Sequence, residues 1–248
     1  MMLHENERID DLKRRGYRII QNSEKFCFGV DAALLAWFSE VHEGEKVLDL
    51  CSGTGVIPLL MDARNACGDY TGLEIQEDMV EMAQRSVLLN HAEDHIRMIA
   101  GDVKEASALF PKGSFDVITV NPPYMKYNDG LKNPDRRIAI ARHEVLMVLG
   151  DVFRESAKLL RAGGRFYMIH RPGRLPEILS GMTACGIQPD RMVMIHPNAE
   201  RVATMVLISG IRGGRNVLTA EPPVMIQDME GNYSAKIRDI YHDKDELV

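Results

Sequence analysis

From about residue 46 onward, short apolar runs alternate with stretches of helical periodicity. Lys46–Leu50, Tyr70–Ile75, Ile96–Asp102, Phe115–Val120, Arg165–His170, Arg191–His196 and Ala203–Ile211 are rich in β-branched, aromatic and aliphatic residues at strand length. Between them, Val56–Arg64, Glu77–Asn90, Ala141–Arg161 and Pro176–Cys185 predict helices. In the second of these Met79, Met82, Ala83 and Val87 share one face, a core stripe. Gly163-Gly164 and Gly186 read as helix stops. Five β/α units followed by two closely spaced strands predict an open, largely parallel sheet with helices on both faces and an antiparallel final pair. Upstream, Asn6–Phe28 predicts a short helix, then a hairpin with Tyr17–Gln21 and Lys25–Phe28 flanking Asn22-Ser23-Glu24. Gly29 breaks that pattern, and Asp31 is placed to cap the apolar helix Ala32–Phe38. The expected units are a helix–hairpin–helix cap over 1–45, an α/β domain over 46–213 and an extension over 214–248.

The run Phe115–Val120 leads directly into Asn121-Pro122-Pro123-Tyr124. Neither proline can donate to a sheet ladder, so the strand stops there. Ligands in open α/β sheets bind beyond the carboxyl ends of strands, where Asn121 and Tyr124 are expected to stand. Two other strand ends carry chemistry of the same kind. Asp49 lies in the first core strand, and Cys51-Ser52-Gly53-Thr54-Gly55 follows it, a turn whose glycines allow close approach to the backbone. The dinucleotide fingerprint is excluded, because its third glycine would fall at Pro58. Glu74 ends the second strand, where an acid can accept hydrogen bonds from ribose hydroxyls. Asp102 follows the third strand and suits either an adenine amino group or the cap of a short helix.

Composition narrows the class. The 248 residues are 45% hydrophobic and 27% charged, with a net charge of −6, which argues against generic nucleic-acid binding. Charge is nevertheless clustered. Lys126, Lys132, Arg136, Arg137 and Arg142 face only Asp129 and Asp135 in the stretch after Asn121. No apolar run approaches a membrane span, and Met1–Glu7 lacks the order of a signal peptide, so the expected location is cytoplasmic, away from membranes. Cys27, Cys51, Cys67 and Cys185 have no pairing or zinc spacing, and His170 and His196 have no ligand partners at metal spacing, so no metal is expected.

Asp49-x-x-x-Gly53-x-Gly55, Gly72-Leu73-Glu74, Gly101-Asp102 and Asn121-Pro122-Pro123-Tyr124, in that order, resemble the Rossmann-like S-adenosylmethionine-dependent methyltransferases of the amino-methylating branch. The resemblance covers roughly residues 26–211 and implies a seven-stranded sheet in the order 3-2-1-4-5-7-6 with strand 7 antiparallel. Cys51 stands where the family pattern has its first glycine. That variant, with Phe26–Ala32 and Ala141-Arg142-His143-Glu144, is similar to the bacterial tRNA(Val) adenine-N6 methyltransferase family, which acts beside the anticodon. The implied cofactor is S-adenosyl-L-methionine, leaving as S-adenosyl-L-homocysteine. It would be lined by Phe28, Asp31, Asp49, Cys51, Ser52, Gly53, Gly55, Glu74, Ile75, Asp102, Val103 and Asn121.

The implied catalytic group is Asn121, Pro122, Pro123 and Tyr124. The Asn121 side-chain oxygen and the Pro122 carbonyl would accept the two amino hydrogens, while Tyr124 stacks on the extruded base. Lys126, Arg136, Arg137 and Arg142 would hold phosphates of the tRNA. The expected partner is tRNA, with the protein a monomer or small homo-oligomer. Other readings stay open: methylation of a protein glutamine amide, methylation of DNA adenine or cytosine, and a non-catalytic RNA-binding protein on the same fold.

Overall fold

A computed structural model describes residues 3–24, 27–65, 67–123, 149–215 and 217–241, with the side chain of residue 65 excepted. The chain opens with an antiparallel hairpin, β1 (Glu7–Asp11) and β2 (Arg18–Asn22), in which Glu7 faces Asn22 and Asp11 faces Arg18. The short helix expected here is therefore a strand, and Arg18–Asn22 pairs backward onto it. Residues 25 and 26 of the expected partner strand Lys25–Phe28 lie outside the described residues. The reversal is made by residues in the left-handed region, Lys13, Arg15 and Gly16, and closed by the Leu12 N–H donating to the Tyr17 carbonyl at 2.9 Å. The cause is tertiary. The hairpin is clasped to helix α3 (Glu77–Leu89). Asn90, just beyond that helix, bonds both backbone groups of Arg18 at 2.8 and 2.6 Å, and Arg85 pairs with Glu7 at 2.6 Å. That pairing, led by the Arg85 hydrogen bond, holds the Glu7 carboxyl down at about 2.

Helix α1 (Val30–Phe38) follows. Gly29 is its N-cap and Asp31 lies inside its first turn, so the expected capping role of Asp31 is replaced by another, described below.

The main sheet holds β3 (Lys46–Leu50), β4 (Asp69–Glu74), β5 (Ile96–Ala100), β6 (Phe115–Val120), β7 (Leu160–His170), β8 (Ile187–His196), β9 (Met205–Arg212), β10 (Thr219–Ala220) and β11 (Val224–Met225). Its order is β10-β8-β9-β7-β6-β3-β4-β5, with β11 also on β8. Counted from β3 as the first, the seven long strands stand as 3-2-1-4-5-7-6, and β9 runs antiparallel to both β7 and β8. Strand alternation splits the core in two. Val47, Val117 and Tyr167 face one side, with α1, α2 (Val56–Asn65), α3 and the C-terminal helix α7 (Ala235–Tyr241). Leu48, Ile118 and Phe166 face the other, with α4 (Ala106–Leu109), α5 (Leu149–Leu159) and α6 (Leu175–Ala184). Burial on both faces is why the central strands read as continuous apolar runs.

Gly163-Gly164 does not stop a helix. Strand β7 begins earlier than expected, at Leu160, and carries both glycines through a bulge in which Phe115 faces Leu160 while Val117 faces Arg165. Gly163 has φ +75, and a Cβ on Gly164 would sit 3.0 Å from the Arg161 carbonyl. Both features favour glycine at such a kink. The start of the helix predicted from Ala141 lies outside the described residues.

Strands β3, β4 and β6 run parallel, so Leu50, Glu74 and Val120 end on one edge and the turns after them meet there. No described helix is long and apolar enough to cross a membrane.

Candidate active site

The first wall of the site is set by register. Asp49 on β3 lies between Gly72 on β4 and Thr119 on β6. The Thr119 hydroxyl donates to Asp49 Oδ1 at 2.6 Å. Oδ2 is buried without a hydrogen-bond partner among the described residues. At 1% exposure the carboxyl is cut off from water, and this burial pushes its pKa up to about 7 against the pull of nearby hydroxyls. Thr119 makes a well-formed bond, while the Ser52 hydroxyl lies close without hydrogen-bond geometry to either oxygen. A buried carboxylate oxygen without a donor is costly. It is offset when a bound group brings a donor or a positive charge to it.

The turn after β3 supplies the second wall. Cys51, Gly53 and Gly55 all adopt positive φ, at 58, 54 and 74°. Cys51 thus holds the left-handed conformation that the glycine of the family pattern would adopt without strain, at a cost on the order of 1 kcal/mol. Desolvation, then the nearby carboxylates Glu74, Asp49 and Asp102, push its thiol well above the usual range, so it stays protonated and unreactive.

Glu74 ties the turn to the next strand end. Its Oε2 accepts the Gly53 N–H at 3.0 Å, and its Oε1 accepts the Gln76 N–H at 3.0 Å and the Gln76 side-chain amide at 3.2 Å. Ile75 beside it is 42% exposed, a large apolar side chain left open at the rim. Asp102 caps the short 3-10 helix Val103–Glu105 through the Lys104 N–H at 2.9 Å, so the capping role weighed for it is present, while Val103 is buried beneath.

The third wall comes from the N-terminal cap. Phe28 is half-buried against the core, its N–H bonded to Gln21 Oε1 at 3.0 Å. Asp31 is 8% exposed, and its Oδ2 accepts the Asn121 side-chain amide N–H at 3.0 Å. Asn121 is half-buried at the end of β6, with Pro122 buried behind it and Pro123 half-buried. Tyr124 and the cationic set Lys126, Arg136, Arg137 and Arg142 lie outside the described residues.

Asp49, Cys51, Ser52, Gly53, Gly55, Glu74 and Asn121 therefore meet at one edge of the sheet, with Asp31 reaching in from the cap. Sequence reasoning missed Thr119 and Gln76. Thr119 sits inside an apolar strand and reads as a β-branched filler, and only its register opposite Asp49 discloses the hydroxyl's use. Among the described residues no cluster of His, Cys, Asp or Glu has the makings of a metal site. His170 is buried, and burial, then Arg174, lowers its pKa to about 4, so it is a neutral structural group.

The chain is similar to proteins named tRNA1(Val) (adenine(37)-N6)-methyltransferase. It is 27% identical to one from a Flavobacteriaceae bacterium over 62% of this chain and 63% of that protein. It is 29% identical to one from Phocaeicola vulgatus over 73% of this chain and 75% of that protein. The match thus spans less than two thirds of the first relative's length. Among solved structures, a predicted O-methyltransferase from Agrobacterium tumefaciens superposes with a TM-score of 0.68 at 23% identity, covering 85% of this chain and 95% of that one. The model of the methyltransferase small domain matches residues 24–180. With more than half of its length so matched, the chain belongs to the methyltransferase small domain family.

Proposed function

We propose that this protein methylates the N6 amino group of an adenosine in tRNA with S-adenosylmethionine as methyl donor, as the names of its relatives suggest. The observation that carries the reading is the placement of Asn121. It stands at the end of β6, its amide turned by Asp31, beside the edge where Asp49, Gly53 and Glu74 converge. The residues present fit the donor. Asp49 Oδ2 is buried without a partner among the described residues, the turn 51–55 holds three positive-φ residues, and Ile75 is an apolar surface at the rim. In this reading Asp49 and the Gly53–Gly55 backbone line the methionine end, Glu74 takes the ribose, and Ile75, Asp102 and Val103 take the adenine. S-adenosylmethionine bound there supplies an electrophilic methyl group on a sulfonium.

The protein's own task is to make a poor nucleophile react. The lone pair of an exocyclic adenine nitrogen is delocalised into the ring. Asn121 Oδ1 and the Pro122 carbonyl each accept one amino hydrogen and so favour a pyramidal nitrogen with its lone pair free. Both bonds strengthen as positive charge builds on that nitrogen, so they act on the transition state. Charge-assisted bonds contribute about 1.5–3 kcal/mol each. The amine sheds its proton after transfer, so no strong base is needed beforehand. Tyr124 stacks on the base, and Lys126, Arg136, Arg137 and Arg142 hold phosphates.

The test is methyl transfer from isotopically labelled donor to bulk tRNA from a strain lacking this gene, read as labelled N6-methyladenosine after nucleoside digestion. The wild type is expected to produce it, and Asn121→Ala to lower the rate by about 100-fold or more, as loss of an oxyanion-type contact does. Label in a protein glutamine instead of tRNA would replace this reading with amide methylation.

A further inference from the structure

Asp31 sits on a different element from the rest of the site, in the first turn of α1, and its carboxylate meets the Asn121 amide nitrogen at 3.0 Å. A carboxylate only accepts hydrogen bonds, so it selects one of the two ways an asparagine amide can be turned. Nδ2 must face Asp31, and Oδ1, the acceptor, is presented on the amide's other side. The surroundings are built around that carboxylate. It is 8% exposed, on a helix N-terminus that favours negative charge. Gly29 makes room for it: a Cβ there would lie 2.8 Å from Asp31 Oδ1. Gln21 anchors the approach by accepting the Phe28 N–H, and its own amide bonds Asp10 on the hairpin.

We infer that Asp31 is the positioning residue for Asn121, holding its amide in the one orientation that presents Oδ1 to the substrate amino group and strengthening that oxygen as an acceptor. The inference rests on the function proposed above and departs from the sequence expectation that Asp31 binds the cofactor. A negative charge on the far side of an amide polarises it, raising electron density on the carbonyl oxygen as the amine turns cationic. The cap thereby becomes part of the catalytic geometry, and Gly29 and Asp31 of the Phe28-Gly29-Val30-Asp31 stretch acquire a physical reason.

The test is a double-mutant cycle on single-turnover methyl transfer to tRNA at saturating donor, with S-adenosylhomocysteine affinity measured by calorimetry on each variant. Asp31→Ala is expected to slow transfer about 10- to 100-fold, the worth of one charge-assisted bond, with S-adenosylhomocysteine affinity within about twofold of wild type. In the Asn121→Ala background the same change is expected to cost almost nothing further, because the group it positions is gone. Asp31→Asn, whose amide oxygen accepts the same bond without the charge, is expected to fall between. Gly29→Ala leaves the carboxylate chemically intact but crowds it, and is expected to slow transfer in the same way.

Loss of S-adenosylhomocysteine affinity with an unchanged saturated rate would return Asp31 to the cofactor and overturn the inference. Losses that simply add in the double mutant would do so too. Should Asp31→Ala not fold, the two milder variants decide, and wild-type rates in both contradict the inference. If wild-type protein transfers no methyl to tRNA, the functional reading fails instead. Positioning is then still read from the Asn121 side-chain amide signals by 15N NMR. They are expected to be shifted and protected in wild type and to move toward free-amide values in Asp31→Ala or Gly29→Ala, and unmoved signals would overturn it.

Discussion

Asp49 spends its folded life out of water. Its pKa is raised from 3.8 to about 7, chiefly by burial. A carboxyl whose folded pKa lies above its unfolded value binds more protons folded than unfolded between the two. Stability from this group is therefore fully present below about pH 4 and is lost as pH rises through about 7, by about 4 kcal/mol for a shift of this size. The free protein accepts that loss at neutral pH, the condition under which a charged Asp49 holds the donor. Asp49→Asn removes the titration. His170, its pKa lowered to about 4 by burial, adds a rise in stability between about pH 4 and 6.5 that is common to both proteins. The Asp49 contribution is therefore read from the difference between their melting curves. Ligand-free Asp49→Asn is expected to gain stability relative to wild type as pH rises from about 4 to 7, while its donor affinity at pH 7.5 falls. Parallel pH curves for the two proteins would contradict the burial account. At this scale the sequence disclosed Asp49, Glu74 and Asn121 because each interrupts or ends an apolar strand. It did not disclose Thr119, whose identity as the Asp49 partner depends on which strand lies beside which.

Among the elements, strand β4 shows how closely the sheet edge is fitted. Gly72 faces Asp49, and a Cβ on it would lie 2.5 Å from Met98 and 2.6 Å from the Ser52 hydroxyl. Gly72→Ala therefore has to push aside the Met98 thioether and the Ser52 hydroxyl that pack beneath the site. It is expected to destabilise by about 1–3 kcal/mol, as overpacking does, and to weaken donor binding as well. Denaturant unfolding with calorimetry checks both, and a variant with wild-type values would contradict the packing. The same scale explains where local patterns misled. Residues 7–11 form a strand instead of a helix because they pair with β2, whose backbone is held by Ser86 of α3 and by Asn90 just beyond it, contacts distant in sequence. Gly163-Gly164 has the composition of a helix stop and the function of a bulge, and only the pairing of β6 with β7 separates the two. Helices such as Glu77–Leu89 and the apolar strands were legible because their signal is carried by their own residues, while only Leu149–Leu159 of the helix expected over Ala141–Arg161 lies among the described residues.

For the whole molecule, alternation of strands and helices was enough to predict a mostly parallel sheet. The C-terminal stretch was not readable that way. Its strands β10 and β11 are two residues each and take their place only from the edge of β8. Helix α7 returns to α1, where Lys236 lies 4.4 Å over the Trp37 ring. Arg14 of the hairpin turn donates to the Ile240 carbonyl at 2.8 Å, closing the two ends of the described chain onto the same cap. That cap delivers Asp31 to Asn121, so the site is completed by elements more than eighty residues apart in sequence. The net charge of −6 leaves any affinity for RNA to local cationic stretches rather than to the molecule as a whole. In the function proposed for it, this edge transfers a methyl group to an exocyclic amine of a tRNA base. Its most direct test is to incubate the protein with labelled donor and an unmodified valine tRNA transcript, digest with a base-specific ribonuclease, and locate the label by tandem mass spectrometry. One methyl group is expected, on N6 of the adenosine next to the anticodon. Label on a ring nitrogen or a ribose oxygen, or a transcript left unmethylated under conditions where the donor binds, would contradict it.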